Sequence, residues 1–221
     1  MTGWIEFLFA LLVFLLSHVI PVRPPVRPWL IVRLGRGGYF AAYSAVSTGI
    51  LVWLIVAAAR APYVEVIPPL DVLRWIPLVM MPLVCVLIVG GMTVNNPFSF
   101  GGLGRRVYDS DRPGILALSR HPLLLALMGW SVVHMLANGD LAHVILFGLF
   151  ALFAGLGMVL IDRRKQREMG PDWRGMTAQT ARVSVRGVGQ VPWQAWGGGL
   201  AVYALFLWGH VWVIGVSPLP F

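Results

Sequence analysis

The chain of 221 residues is 58% hydrophobic and only 12% charged, whereas soluble globular domains carry about 25% charged residues. This composition excludes an ordinary soluble domain. The 17 Lys and Arg residues outnumber the 9 Asp and Glu residues, but they lie in short loops between apolar runs. That distribution is typical of a membrane protein and gives no indication of nucleic-acid binding.

The first half of the chain predicts three transmembrane helices. About 20 apolar residues in a helix cross a bilayer core roughly 30 Å thick. Runs of this kind occupy residues 4–20, 39–59 and 75–92. The segment between the first two is rich in Pro and Arg and is not expected to span the membrane. Pro77 and Pro82 fall early in the third run, so we expect that helix to be kinked or to begin late.

The second half predicts three more helices. A loop with a short interfacial helix leads to Arg120, and the fourth span follows at residues 121–137. An Asn-Gly-Asp turn at 138–140 separates it from the fifth span at 141–161. Residues 162–190 are polar and basic and are predicted to be the one sizeable water-exposed segment. The sixth span covers residues 195–216.

The distribution of cations predicts the orientation of these spans. With the N-terminus outside, only Arg60 and Arg74 lie in outer loops, and the other 15 of the 17 Lys and Arg residues lie in cytoplasmic loops. An excess of Lys and Arg in cytoplasmic loops is the usual arrangement. The sequence therefore predicts an all-α polytopic membrane protein with six spans, one domain over residues 1–221, and both termini outside.

Histidines are the candidate cofactor ligands, since an ionisable group in a span is a functional-site hypothesis by default. His121 and His134 are 13 residues apart on one helix, which is roughly 20 Å, so they cannot bind the same iron. Depth along the spans favours an outer pair of His134 with His210 and an inner pair of His18 with His121.

Haem b is the metal cofactor that this pattern predicts. Neutral imidazoles between apolar helices suit a bis-histidine haem, and Trp130, Trp208 and Trp212 are candidates for its aromatic walls. Ser131 lies one turn before His134 and Asn138 one turn after it. Either side chain is placed to hydrogen-bond the second ring nitrogen of His134 and fix its tautomer.

The Arg120-His121-Pro122 sequence has two interpretations. Proline in the first turn is an ordinary helix start, and arginine is an ordinary anchor at the cytoplasmic end of a span. The alternative is a pocket for an anionic headgroup or cofactor at the membrane face, closed by the basic segment 162–190. We expect Asp162, beside Arg163 and Arg164, to form an interfacial ion-pair cluster.

Several stretches resemble the NnrU family, bacterial membrane proteins associated with denitrification. The most specific stretch is RPGILALSRHPLLLALMGWSVVHMLANGDLAHVILFG, followed by LIDRRK. The others are LLSHVIP, RAPYVEV, NNPFSFGG and GHVWVIGVSPLP. Together they cover most of the chain. The resemblance implies a multi-pass protein of the bacterial inner membrane.

The same family includes the plant 15-cis-zeta-carotene isomerases, which are membrane haem b proteins. This resemblance implies haem ligation by His18 and His134, and redox-dependent cis–trans isomerisation of a lipid-soluble polyene. Membrane lipid and a lipid-soluble small molecule are the implied partners. Where the plant enzymes have a cysteine three residues before the second ligand, this chain has Ser131, so no thiolate is available there.

Two alternative functions accompany the isomerase hypothesis. One is a non-enzymatic accessory or redox-sensing membrane protein that supports denitrification. The other follows from a weaker resemblance to isoprenylcysteine methyltransferases, which share the Arg-His-Pro sequence at the start of a late span. This chain departs from their pattern, with Asp162 where a Glu is expected and Met-Gly-Pro-Asp-Trp at residues 169–173 in place of Phe-Gly-x-x-Tyr.

Overall fold

A computed structural model describes residues 2–101 and 108–219 of the chain. Within these ranges the regular structure is helical: α1 (Thr2–Val19), α2 (Val26–Arg60), α3 (Asp71–Thr93), α4 (Ile115–Leu118), α5 (Pro122–Asn138), α6 (Leu141–Met169), α7 (Asp172–Thr177), a 3₁₀ helix (Val185–Gln190) and α8 (Trp193–Ile214). In the described residues, α1, α2, α3, α6 and α8 are long and apolar enough to cross a membrane, and α5 is a shorter apolar helix. The prediction of an all-α polytopic membrane protein is confirmed.

Three helix boundaries differ from the predicted spans. Helix α2 begins at Val26, ahead of the predicted start, and is interrupted at Gly35, where φ is 70° and ψ is 164°. Helix α3 begins at Asp71 with both prolines inside it, so the late start is not observed. Helix α6 continues past the predicted end of the fifth span to Met169. Arg105 and Arg106 of the second predicted cytoplasmic loop lie outside the described residues.

Contacts divide the chain into two compact units. The first comprises residues up to 66 together with 140–146, and the second comprises 67–139 and the residues from 147 on. The prediction of one domain over the whole chain stays a prediction.

In the first unit α1 packs against α2. Phe7 and Leu54 are fully buried. The Glu6 carboxylate accepts a hydrogen bond from Trp53 Nε1 at 3.3 Å and lies 3.6 Å from Arg60 Nη1. The single acidic residue of α1 therefore has partners on α2, as a carboxylate in an apolar helix requires.

In the second unit α3 packs against both α5 and α8. Its buried core includes Val86 and Leu87 of α3 together with Phe98, Leu116 and Ala126. Small residues allow the close approach of the helices. A Cβ atom added at Gly199 of α8 would lie 2.6 Å from Val86 Cα, whereas one added at Gly197 meets no atom within 4 Å.

Local sequence sets both ends of α5. Pro122 is its first residue, where the missing N–H is unneeded. At the other end Gly139 adopts a left-handed conformation with φ of 70° and its N–H donates to Met135 O, which confirms the predicted turn. The 17 residues of the helix give it a length of roughly 26 Å. His121 precedes this helix and His134 lies in its last turns, so one iron cannot bind both.

The two glycines of α8 provide a test of this packing. We expect Gly199→Ala to lower the stability of the protein by about 1–3 kcal/mol, because the new methyl group overlaps the α3 backbone. Gly197→Ala is the matched control and should be neutral or stabilising by up to about 1 kcal/mol, since alanine favours helix. Thermal unfolding in detergent micelles measures both. Equal melting temperatures for the two variants would contradict this account of the α3–α8 contact.

Candidate functional site

A buried carboxylate gathers four hydrogen bonds next to the start of α5. Asp162 Oδ2 accepts from Arg182 Nε at 2.6 Å and from Arg120 Nη2 at 2.9 Å. Asp162 Oδ1 accepts from His121 Nε2 at 2.9 Å and from Arg120 Nε at 3.2 Å. Only 4% of the Asp162 side chain is exposed. We call these four residues the Asp162 cluster. Arg120 binds both oxygens of the Asp162 carboxylate, and such bidentate pairs are among the strongest charged hydrogen bonds.

Main-chain hydrogen bonds bring the segment after α7 to this cluster. The N–H of Arg120 donates to Ala181 O at 2.8 Å, and the N–H of Ser184 donates to Leu118 O at 2.9 Å. The chain before α5 is therefore tied to residues 181–184. The basic segment closes over the Arg-His-Pro sequence, as one of the two interpretations predicted.

Further contacts hold the Arg120 guanidinium. Its Nη1 donates to Thr180 O at 3.1 Å and to Thr180 Oγ1 at 3.4 Å. The ring of Trp173 lies 5.4 Å from its Cζ, within the range of a cation–π interaction. Only 12% of the Arg120 side chain is exposed. Arg120 is thus an internal partner of the cluster, and its role as an anchor at the cytoplasmic end of the span stays a prediction.

His121 is fully buried, and its two ring nitrogens have different surroundings. Because a carboxylate only accepts hydrogen bonds, Nε2 carries the proton that it donates to Asp162. Burial lowers the pKa of His121 despite the opposing effect of Asp162, so the ring is neutral at neutral pH. Nδ1 has no hydrogen-bond partner among the described residues. With Nε2 engaged, only Nδ1 of His121 keeps a lone pair for a metal, and the inner pairing of His121 with His18 stays a prediction.

Two predictions about Asp162 are wrong. Asp162 was expected to begin a water-exposed segment and to pair with Arg163 and Arg164, but it is buried and pairs with Arg120, His121 and Arg182. Arg164 instead lies 3.5 Å from Glu168, one turn further along α6. Adjacent residues on a helix do not face each other, which favours partners from other segments.

Three of the candidate haem ligands share one hydrogen-bond pattern. The Nδ1 atoms of His18, His134 and His210 lie 2.7–2.8 Å from main-chain carbonyl oxygens. The three acceptors are Phe14 O, Trp130 O and Val216 O. A carbonyl oxygen accepts and never donates, so each Nδ1 carries a hydrogen and each neutral ring keeps its lone pair on Nε2.

The hydrogen bond to His134 does not come from the side chains that the sequence suggested. Ser131 Oγ donates to Leu127 O at 2.7 Å, and Asn138 Nδ2 donates to the main-chain oxygen of His134 at 2.7 Å. The carbonyl one turn earlier, Trp130 O, binds the ring instead. The predicted hydrogen bonds are wrong, and any contact of Ser131 or Asn138 with haem stays a prediction.

The second unit contains both members of the predicted outer pair. His134 packs against Trp130 and Phe147, with ring centroids 5.2 and 5.5 Å away. His210 lies on α8, which, like α5, packs against α3. Trp208 and Trp212 are 71% and 79% exposed, and among the described residues Trp130 is the predicted wall residue whose ring contacts a candidate ligand.

His18 lies in the first unit, where its ring is 4.2 Å from the ring of Phe14. Its pairing with His134, which the family resemblance implies, stays a prediction. Within residues 2–101 and 108–219, no group of three or more His, Cys, Asp and Glu side chains is placed to hold a metal ion. A haem needs only one or two protein ligands.

The arrangement around Asp162 serves to join chain segments. Four donor contacts occupy the carboxylate, which leaves it poorly suited to act as a general base. Sequence reasoning assigned no individual role to Thr180 or to Arg182. The sequence does contain a general indication of such partners. A lone Asp at the end of an apolar run needs cationic partners, and a basic segment follows Asp162.

The fold and these buried polar groups define a polytopic α-helical membrane protein. Residues 6–218, nearly the whole chain, match the family model described as NnrU protein. The chain therefore belongs to the NnrU family. No curated protein and no solved structure gives a significant match to it.

Replacing the central carboxylate tests the structural role of the cluster. We expect Asp162→Asn to destabilise the protein by about 3–5 kcal/mol, because Arg120, whose side chain is only 12% exposed, loses its negative partner in a buried position. Arg182 is half exposed and contributes less to this loss. Arg164→Gln on the same helix is the control and should change stability by less than about 0.5 kcal/mol, since its pair with Glu168 is exposed. Chemical unfolding in micelles measures both, and similar small effects would contradict the assigned role.

Proposed function

We propose that this NnrU-family protein binds haem b between its membrane helices, and that His134 would be one of the residues that hold it. The observation that supports this most directly is the Nδ1 hydrogen bond of His134 to Trp130 O, which leaves Nε2 as the lone-pair donor. Histidine ligands of metals usually donate their other ring N–H to a carbonyl or carboxylate, which orients the ring and raises its basicity.

His210 is the proposed second ligand. It belongs to the same unit as His134, on a helix that packs against α3 as α5 does, and its Nδ1 lies 2.7 Å from Val216 O. The donor set of two neutral imidazoles suits haem iron in an apolar setting. His18 has the same hydrogen-bond pattern through Phe14 O and is the alternative partner.

Bound haem would supply one-electron redox chemistry. The residues of this chain would hold it, exclude water and set its surroundings through Trp130 and Phe147. By the family resemblance, the proposed activity is redox-dependent cis–trans isomerisation of a lipid-soluble polyene. The Ser131 hydroxyl is bonded to Leu127 O and offers no thiolate to the iron.

A second function, a non-enzymatic accessory or redox-sensing role in denitrification, is favoured by the size of one cavity. A cavity of about 280 Å³ lies beside Trp130, between residues of α3 and α5 and Phe206 of α8. Ligand pockets usually measure about 300–1,000 Å³. This cavity is small for a long polyene, so electron transfer or sensing would need less rearrangement there than substrate turnover.

Optical spectroscopy tests the haem proposal. The full chain, expressed with ample haem and purified in detergent, should show a Soret band and a reduced-minus-oxidised difference spectrum. His134→Ala and His210→Ala should each lose most of that absorbance because each removes an axial ligand. His143→Ala, a histidine outside the proposed ligand set, should retain it.

Several outcomes would count against this proposal or refine it. The absence of a Soret band from the wild-type protein would sink the haem hypothesis. Loss of haem in His18→Ala but not in His210→Ala would replace the outer pair by the pair implied by the family. Turnover of a cis-polyene only under reducing conditions would separate an isomerase from an accessory protein. S-adenosylmethionine binding that is lost in His121→Ala would favour a methyltransferase relative.

A further inference from the structure

A cavity of about 550 Å³ lies where two membrane helices of the second unit end. Gly90, Thr93 and Val94 line it at the end of α3, and Gln194 and Ala195 line it at the start of α8. Both helices are long and apolar enough to cross a membrane. The cavity therefore lies at the depth of the bilayer interface, where lipid headgroups are found.

The lining of this cavity is divided between an apolar floor and a polar rim. Gly90, Ile115 and Ala195 are buried, whereas Thr93 and Gln194 are exposed. The floor is closely packed, since a Cβ atom at Gly90 would lie 2.9 Å from Ile115 Cγ1. A ligand that fits such a site is an amphiphile, with its polar group at the rim and its apolar part toward the membrane.

Two opposite charges stand at the rim. Asp109 and Arg112 both line the cavity and are both exposed. Among the residues that the structure describes, neither side chain forms an ion pair. One Asp109 oxygen accepts the N–H of Asp111 at 2.9 Å, which leaves the other available. The wall beside them is Tyr108, whose hydroxyl donates to Met176 O and is thereby fixed.

We propose that this cavity binds the headgroup of a zwitterionic phospholipid with a primary ammonium group, such as phosphatidylethanolamine. Arg112 would contact the phosphate and Asp109 would accept hydrogen bonds from the ammonium group. Among the lining residues that the structure describes, the two charges sum to zero, so a headgroup of both signs satisfies both. An anionic headgroup would leave Asp109 without a partner and place like charges together. This site is independent of haem binding.

Lipid retention by the full-length protein tests the site. The protein is stripped of lipid in detergent, mixed with dioleoyl phosphatidylethanolamine, phosphatidylcholine or phosphatidylglycerol, and examined by native mass spectrometry. We expect phosphatidylethanolamine to be retained roughly two- to fivefold better than either other lipid, the effect of an exposed ion pair. Arg112→Gln should weaken retention of all three lipids, and Asp109→Asn should abolish the preference for phosphatidylethanolamine.

Matched controls and competing outcomes make this test decisive. Arg163→Gln and Asp172→Asn change the same charges at exposed positions outside the cavity and should leave the preference intact. All four positions are exposed, and circular dichroism checks that each variant is folded. No preference in the wild-type protein, a preference unchanged in Asp109→Asn, or retention unchanged in Arg112→Gln overturns the proposal. So does a stronger retention of phosphatidylglycerol.

Discussion

The buried carboxylate of Asp162 is the constraint on which the second unit depends. Taking a charge out of water costs several kcal/mol unless partners surround it. The partners of Asp162 are Arg120, His121 and Arg182. All three are at least 20 residues away from Asp162 along the chain. Satisfying one carboxylate therefore fixes the start of α5, the end of the apolar part of α6 and the segment after α7 together.

Helix α5 separates two kinds of histidine chemistry. His121, just before its first residue, is neutral, fully buried and bonded to Asp162. His134, in its last turns, is bonded to a main-chain carbonyl and has its Nε2 lone pair available. They are roughly 20 Å apart, so one iron cannot bind both. His121 belongs to the Asp162 cluster, whereas His134 is the proposed ligand.

The sequence predicted the helices better than the side-chain partners. Hydropathy located the five helices that are long and apolar enough to cross a membrane and the shorter apolar α5, because apolar length is a local property. The prolines of α3 did not delay its start. The Arg-His-Pro sequence pointed to a polar site, yet the partners of Asp162 were missed. Arg182 is 20 residues away from Asp162 along the chain, and only tertiary folding brings them together. The carbonyl partner of His134, Trp130 O, was missed because every residue has a main-chain carbonyl, so the sequence does not indicate which one accepts a hydrogen bond.

Axial ligation of haem by two histidines is the central functional claim. Electron paramagnetic resonance of the oxidised, haem-loaded protein at low temperature measures it directly, because two imidazole ligands produce a low-spin ferric signal. The account predicts such a signal from the wild-type protein and a high-spin signal from any haem retained by His210→Ala. A high-spin signal from the wild-type protein would contradict bis-histidine ligation.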